Sequence, residues 1–239
     1  MAKLYKKSEL WFALVWVIVY AVGIGTLRGN FGDTSPIMPA ALAVLAVVGT
    51  IFIKTNHLEK KYGLCKWRGK AANYWFFIPM IILMTGNLWG GVSPAYSGME
   101  QVWAVLMMAL VGYVEEIIFR GFLFRVLLKS NKPPVAILIS AVTFGAGHIV
   151  NLLTGHATLE TAIQIVFAIV IGFIFTFLFY KSGSLWICII AHSLIDVFSK
   201  FAAPREDMTM SCAYWGATVI VAFVYGLYLG KKPAVLEKE

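Results

Sequence analysis

The feature that most constrains the fold of this chain is a succession of apolar runs, seven of 15 to 21 residues and one of 30, separated by short polar or turn-forming segments. About 20 apolar residues of helix span the hydrocarbon core of a bilayer. The composition agrees, because 60% of the residues are hydrophobic and only 13% are charged, whereas soluble domains are about 25% charged. The sequence therefore excludes a water-soluble globule and predicts an all-α polytopic membrane protein.

The runs predict eight transmembrane helices, which leave no room for a soluble domain in 239 residues. We therefore expect a single membrane domain over residues 1–239. The first run is expected to be a retained span, because it is longer than a signal-peptide core and lacks a small-residue cleavage site. In chain order the predicted spans are Leu10–Leu27, Pro36–Ile53, Ala71–Trp89, Glu100–Lys129, Pro134–Val150, Thr161–Tyr180, Leu185–Ser199 and Met210–Gly230.

The basic residues predict the orientation of these spans. If the N-terminus is cytoplasmic, 16 of the 20 Lys and Arg residues fall on the cytoplasmic side and three on the other. Such a bias is the positive-inside pattern, so we expect both termini to be cytoplasmic in a cell (plasma) membrane protein. The same placement explains the net charge of +8 without a nucleic-acid partner.

Ionisable residues inside the predicted spans are the strongest functional signal. Each Asp, Glu or Arg near mid-bilayer costs at least about 2.5–3.5 kcal/mol on insertion scales, and such groups are usually functional. Two of the four histidines lie in spans as well. The six residues are Glu115, Glu116, Arg120, His148, His192 and Asp196.

Helical spacing predicts how these groups are arranged. Glu116 and Arg120 are four residues apart and share a face, which favours an ion pair, whereas Glu115 points about 100° away. His192 and Asp196 are also four residues apart. At 1.5 Å per residue the three helices can present these groups at overlapping depths. We expect Glu115, His148 and His192 to converge on one cavity.

Structural roles explain some of these residues singly. The Glu116–Arg120 pair can be a simple neutralisation, and a lone histidine such as His148 can serve helix packing. A neutralised pair leaves Glu115, His148 and the His192–Asp196 pair unexplained, however. The set as a whole favours a functional site.

Three segments carry a resemblance to a known family. Glu115-Glu116-Ile-Ile-Phe119-Arg120, Phe144-Gly-Ala-Gly-His148 and His192-Ser-Leu-Ile-Asp196 resemble the EExxxR, FxxxH and HxxxN/D motifs of the CPBP family. That family comprises CAAX prenyl proteases and bacteriocin-processing or immunity proteins, and is also called the Abi family. The resemblance covers about residues 111–197. It implies an eight-helix intramembrane endopeptidase that acts on a membrane-embedded or lipidated peptide or protein.

The motifs suggest catalytic roles. Peptide hydrolysis needs an activated water, an oxyanion donor and a proton for the leaving amine. We expect Glu115 to act as base with His148 beside it, and Glu116, Arg120 and Phe144 to support the site. The resemblance implies that His192 donates to the oxyanion. Asp196 stands where relatives carry Asn or Asp, and would orient His192 through its other ring nitrogen or donate as a protonated acid.

Two questions stay open at this stage. A catalytic zinc is bound by residue types that this set also offers, namely Glu115, His148, His192 and Asp196. No HExxH motif is present, however. We favour a metal-free glutamate hydrolase over a metalloendopeptidase and expect no cofactor. The competing functions are a non-proteolytic immunity or interaction factor and an acyl-modifying enzyme on the same fold.

Overall fold

A computed structural model of the protein describes residues 2–66, 78–149, 158–204, 208–232, 234 and 236. Most of these residues are helical. Val92 and Ala202 form an isolated antiparallel β-bridge. The helices are α1 (Ala2–Lys7), α2 (Glu9–Phe31), α3 (Ile37–Thr55), α4 (Glu59–Tyr62), α5 (Ile78–Met84), α6 (Gly98–Ser130), α7 (Pro133–Gly147), α8 (Thr158–Ser182), α9 (Trp186–Ser199) and α10 (Met208–Gly230).

The expectation of an all-α polytopic membrane protein is confirmed. Five helices in the described ranges, namely α2, α3, α6, α8 and α10, are long and apolar enough to cross a membrane, and α7 and α9 are shorter apolar helices. Large apolar side chains stand exposed on their outer faces, for example Val44 (62%) and Ile220 (64%). A soluble monomer rarely exposes so much contiguous apolar surface, whereas lipid would cover it.

Two predicted spans end differently in the structure. Within the predicted span Ala71–Trp89, residues 71–77 lie outside the described residues, and α5 stops at Met84 before a 3₁₀ turn at Gly86–Leu88. Helix α7 stops at Gly147, so His148 lies at its C-terminal end rather than inside a span that continues to Val150. The short helix brings His148 to the edge of the bundle interior.

Close backbone packing sets the positions of the motif-bearing helices. A Cβ atom on Gly112 of α6 would lie 2.5 Å from the backbone nitrogen of Ser193 in α9. The Ser193 hydroxyl also donates to the Ala109 carbonyl oxygen at 2.8 Å. Small residues allow such approach between membrane helices. The contact brings His192, the neighbour of Ser193, against the α6 turn that carries Glu115 and Glu116.

Two stretches of π-helix lie within the long helices. Val19–Ile24 of α2 and Glu116–Phe124 of α6 have the wider turn of the π-helix. Such turns are frequent at functional sites. Here one contains Tyr20 and the other begins at Glu116, and both adjoin the cavity described next.

Candidate active site

The predicted site residues meet at one cavity of about 430 Å³ between the helices. Glu115, Phe144, His148, His192 and Asp196 all line it, so the expected convergence of Glu115, His148 and His192 is found. Glu116 and Arg120 are fully buried and stand behind the cavity wall. The cavity is enclosed mainly by apolar side chains of α2, α6, α8 and α9.

A buried chain of hydrogen bonds holds His192. Arg120 Nη1 donates to Glu116 Oε1 at 2.8 Å, which confirms the predicted pair. The same oxygen lies 2.8 Å from His192 Nδ1. Because an ionised carboxylate only accepts, Nδ1 carries the proton in this bond. Glu116 therefore does more than neutralise Arg120, since it also fixes the orientation and tautomer of the histidine.

Two phenylalanine rings pack against these hydrogen-bonded side chains. The Arg120 guanidinium carbon lies 4.0 Å from the centre of the Phe144 ring and 5.3 Å from that of Phe175. The His192 ring contacts the same two rings, at centroid distances of 5.6 and 5.2 Å. Cation–π contacts gain strength when they are desolvated. Phe144 therefore supports the site by packing against both Arg120 and His192.

Glu115 has two different environments at its two oxygens. Oε1 accepts a hydrogen bond of 2.6 Å from the hydroxyl of Tyr20, and Oε2 lies 3.5 Å from His192 Nε2. Arg120 forms its ion pair with the neighbouring Glu116, as the spacing predicts. Tyr20 was not predicted from the sequence, because its partner lies 95 residues away and no local pattern marks it.

His148 and Asp196 complete the ionisable lining. His148 Nδ1 lies 3.3 Å from the Phe144 carbonyl oxygen. The other ring nitrogen, Nε2, takes no part in this contact. Asp196 Oδ2 lies 3.4 Å from His192 Nε2. Asp196 therefore lies beside Nε2, whereas Glu116 contacts Nδ1, and the role of Asp196 stays a prediction.

The ligand types for zinc are present, but their placement does not form a ligand set. Within the described ranges, no three His, Cys, Asp or Glu side chains are grouped so that they could hold a metal ion. The carboxylates of Glu115 and Asp196 approach the same His192 nitrogen, and His148 lines the same cavity from the C-terminal end of α7. Metal dependence stays a prediction for experiment.

Comparison with known proteins identifies the motif-bearing segment. Residues 98–198 match the sequence model of the Rce1-like family, described as type II CAAX prenyl endopeptidase Rce1-like. This segment contains all three motifs. This match supports the resemblance of the segment to the CPBP family. The chain is also 35% identical over 95 residues to a Bacillus subtilis (strain 168) protein named "Putative membrane peptidase YdiL".

Both matches cover less than half of the chain. The alignment with YdiL covers 39% of this chain and 34% of the relative, so it spans about a third of that protein's length. No solved structure matches the chain. Tyr20 lies outside both the family match and the segment from α6 to α9.

Proposed function

We propose that the chain is a membrane-embedded endopeptidase that hydrolyses a peptide bond in a membrane-associated or lipidated protein. One observation carries the proposal. The Glu115 carboxylate, anchored by Tyr20, faces a cavity that also presents His148 and His192. A general base and an oxyanion donor must reach one reacting centre, and these residues share one. The cavity volume is in the range that holds a small ligand or a short peptide segment.

Glu115 is the proposed general base. A water held between Glu115 and His148 attacks the scissile carbonyl carbon as its proton passes to the Glu115 carboxylate. The new C–O bond forms, and the carbonyl electron pair moves to oxygen. When the tetrahedral intermediate collapses and the C–N bond breaks, Glu115 returns the proton to the leaving amine. General acid–base catalysis of this kind contributes typically about 10²–10⁴-fold.

His192 is the proposed donor to the oxyanion. Its Nδ1 is committed to Glu116, so Nε2 is the nitrogen that faces the cavity. A donor role requires a proton on both nitrogens, and therefore an imidazolium. Asp196 and Glu115 lie 3.4 and 3.5 Å from Nε2, and their negative charges stabilise that cation. We assign Asp196 this electrostatic role.

The experiment is cleavage of a library of prenylated and unmodified peptides by the purified protein, read by mass spectrometry, with and without chelator. We expect a defined set of peptides to be cleaved, with the same products in both conditions, since the proposed chemistry is metal-free. Cleavage that stops with chelator and returns with zinc would contradict the metal-free mechanism. Absence of cleavage throughout would favour the immunity or interaction function, and acyl transfer products would favour the acyl-modifying enzyme.

We also propose that both termini are cytoplasmic in the plasma membrane, on the strength of the charge bias. The test is labelling of single cysteines from outside the cell. A cysteine at Ser97, between α5 and α6, should react, and one at Lys61 in α4 should not. The reverse pattern would contradict the orientation.

A further inference from the structure

The 3₁₀ turn Gly86–Leu88, which follows α5, brings Asn87 to the wall of the cavity. The Nδ2 atom of Asn87 donates to the backbone carbonyl oxygen of Ile195 in α9 at 2.8 Å. Ile195 directly precedes Asp196 and follows His192 by three residues, which is about 4.5 Å along the helix axis. Asn87 is therefore fixed beside the part of α9 that carries the site residues.

The bond made by Asn87 differs from those made by two other asparagines. Asn56 and Asn131 donate from Nδ2 to the carbonyl oxygens of Phe52 and Leu127, each four residues earlier, at 2.8 and 2.9 Å. Both asparagines directly follow a helix, and each satisfies a carbonyl group that the end of its helix leaves free. Asn87 instead bonds to a carbonyl group of another helix, 108 residues away. Capping of its own helix does not explain this bond.

The bond to Ile195 uses only part of the hydrogen-bonding capacity of Asn87. A side-chain amide carries two N–H donors and one acceptor oxygen, and only a donor can bond to a carbonyl oxygen. The second N–H and Oδ1 have no partner among the residues that the structure describes. Asn87 is half-buried and borders the cavity. It therefore keeps one donor and one acceptor for a molecule bound in the cavity.

A backbone amide of the same wall is also unpaired. Backbone hydrogen bonds of 2.9 and 3.2 Å flank the bridge between Val92 and Ala202 on its two sides. In an antiparallel pair flanked in this way, the two facing residues do not bond to each other. Ala202 lines the cavity, and within the described ranges its N–H and C=O groups have no hydrogen-bond partner. Ala202 thus offers a second amide group beside Asn87.

A peptide bound in this cavity needs partners for its main chain. The oxygen of the scissile carbonyl must be free to accept from His192, so the peptide cannot be helical at that point. An N–H or C=O group outside a helix is costly in apolar surroundings unless it is hydrogen-bonded. The cavity lining is mainly apolar, and most of its polar side chains are ionisable. A neutral amide such as that of Asn87 can accept from a peptide N–H and donate to a peptide C=O at the same time.

We propose that the side-chain amide of Asn87 binds the main chain of an extended peptide substrate beside the scissile bond. Oδ1 accepts from a peptide N–H, and the remaining N–H of Nδ2 donates to a peptide carbonyl oxygen. The proposal rests on the proposed function, because the ligand is the peptide that is to be cleaved. A residue of extended chain is about 3.3 Å long, so the contact lies within a few residues of the scissile bond. Asn87 therefore selects peptides that are extended in the cavity, whatever their side chains.

The test is a scan of N-methylated peptides, measured by fluorescence anisotropy on the full chain carrying Glu115→Gln so that hydrolysis does not interfere. The probe is a dye-labelled heptapeptide of Ala with one central Leu, whose single large side chain fixes the register. Each backbone N–H of the probe is methylated in turn, which removes one donor. A neutral hydrogen bond changes affinity by roughly 2- to 12-fold. We expect a loss of this size at one or more positions.

Variants of Asn87 show which of these losses depends on its amide. Asn87→Leu, which nearly keeps the side-chain volume, should abolish the loss at one position, where the methylated and unmethylated probes should then bind with equal affinity. Positions that bond to other groups, such as the backbone of Ala202, should keep their loss. Asn87→Ala gives the same comparison if leucine is not accommodated. Asn56→Leu is the matched control, because Asn56 makes a similar bond and is not among the residues that line the cavity; it should keep every loss.

A purely structural role of Asn87 predicts a different pattern. If the amide only joins the turn after α5 to α9, Asn87→Leu should lower the affinity for every probe by the same factor and leave all the N-methylation losses in place. That pattern would overturn the proposal.

Two results without any variant of Asn87 would overturn it as well. These are a scan in which no N-methyl group lowers the affinity, and the absence of binding by any probe. An Asn87-dependent loss in a protein whose wild type cleaves no peptide would uphold the main-chain contact and count against the proposed hydrolysis alone. Cleavage by the wild type without an Asn87-dependent position would uphold hydrolysis and count against the contact.

Discussion

Glu116 and Glu115 are neighbours in sequence, but the structure predicts that their loss will affect the protein in different ways. Glu116 is fully buried, and its Oε1 accepts from both Arg120 and His192. Arg120 is equally buried, and its Nε and Nη2 atoms have no hydrogen-bond partner among the described residues. Glu116→Gln therefore removes the carboxylate partner of a buried guanidinium while keeping the side-chain volume.

The expected loss for Glu116→Gln is about 3–5 kcal/mol of unfolding free energy, the range measured when one partner of a buried ion pair is removed. Glu115→Gln should lose only about 1 kcal/mol. The residue is 8% exposed and borders the cavity, and the amide oxygen of the variant can still accept from Tyr20. Glu100→Gln, at an exposed site on the same helix, should change stability by less than about 0.5 kcal/mol.

The assay is reversible unfolding in mixed micelles, titrated with sodium dodecyl sulfate and followed by tryptophan fluorescence. All three variants are compared with the wild type in the same detergent. An equal loss of stability for Glu115→Gln and Glu116→Gln would refute the assignment of separate roles. So would a Glu116→Gln protein as stable as the Glu100→Gln control.

Three further predictions follow from the contacts around the site. Tyr20→Phe removes the hydroxyl that holds Glu115, so kcat for a cleaved peptide should fall by roughly 10- to 100-fold. The unfolding free energy should change little. An unchanged kcat would exclude a positioning role for Tyr20. Gly112→Ala places a methyl group 2.5 Å from the Ser193 nitrogen and should lower the unfolding free energy by about 1–3 kcal/mol. Gly216→Ala, where the added methyl group has nothing within 4 Å, should leave the unfolding free energy unchanged in the same micelle titration. Asp33, in the turn after α2, accepts hydrogen bonds from Arg28 and Lys200. Burial would raise the pKa of Asp33, but these two contacts lower it below its ordinary value of 3.8. Its ion pairs therefore stabilise the fold above pH 3.8 and are lost as the pH falls through the lower folded pKa. Acid unfolding of Asp33→Asn should depend less on pH below about 4 than that of the wild type, and identical profiles would contradict this.

The sequence predicts those parts of the site that depend on spacing along one helix. The Glu116–Arg120 pair and the shared face of His192 and Asp196 are i, i+4 relationships, and both are present. The apolar runs likewise predict most helices to within a few residues. The exceptions are the early ends of α5 and α7, where a 3₁₀ turn and the C-terminal His148 replace a further turn of helix.

Contacts between helices could not be predicted in the same way. Spacing defines the face on which a side chain lies, but not the rotation of that face relative to another helix. Glu116 and Asp196 could each have reached His192 Nδ1, and only the packing at Gly112 and Ser193 determines that Glu116 does. The bond from Tyr20 to Glu115 joins helices 95 residues apart, in a span that carries no motif.

The ion pairs of Asp33 with Arg28 and Lys200 could not be predicted for a different reason. Basic residues near the ends of spans are expected at a membrane interface, so Arg28 and Lys200 contributed only to the charge count. Their shared carboxylate lies 167 residues from Lys200. Only the fold shows that both cations line the same cavity as Glu115 and His192.

The most direct test of the central claim is the rate at which a cleaved peptide is hydrolysed by wild type and by Glu115→Gln, in the presence of chelator and with folding verified by the micelle titration. If Glu115 activates the water, the wild type should retain its rate in chelator, and Glu115→Gln should be slower by roughly 10²-fold or more. A well-folded Glu115→Gln protein that cleaves at the wild-type rate would contradict glutamate catalysis at this site.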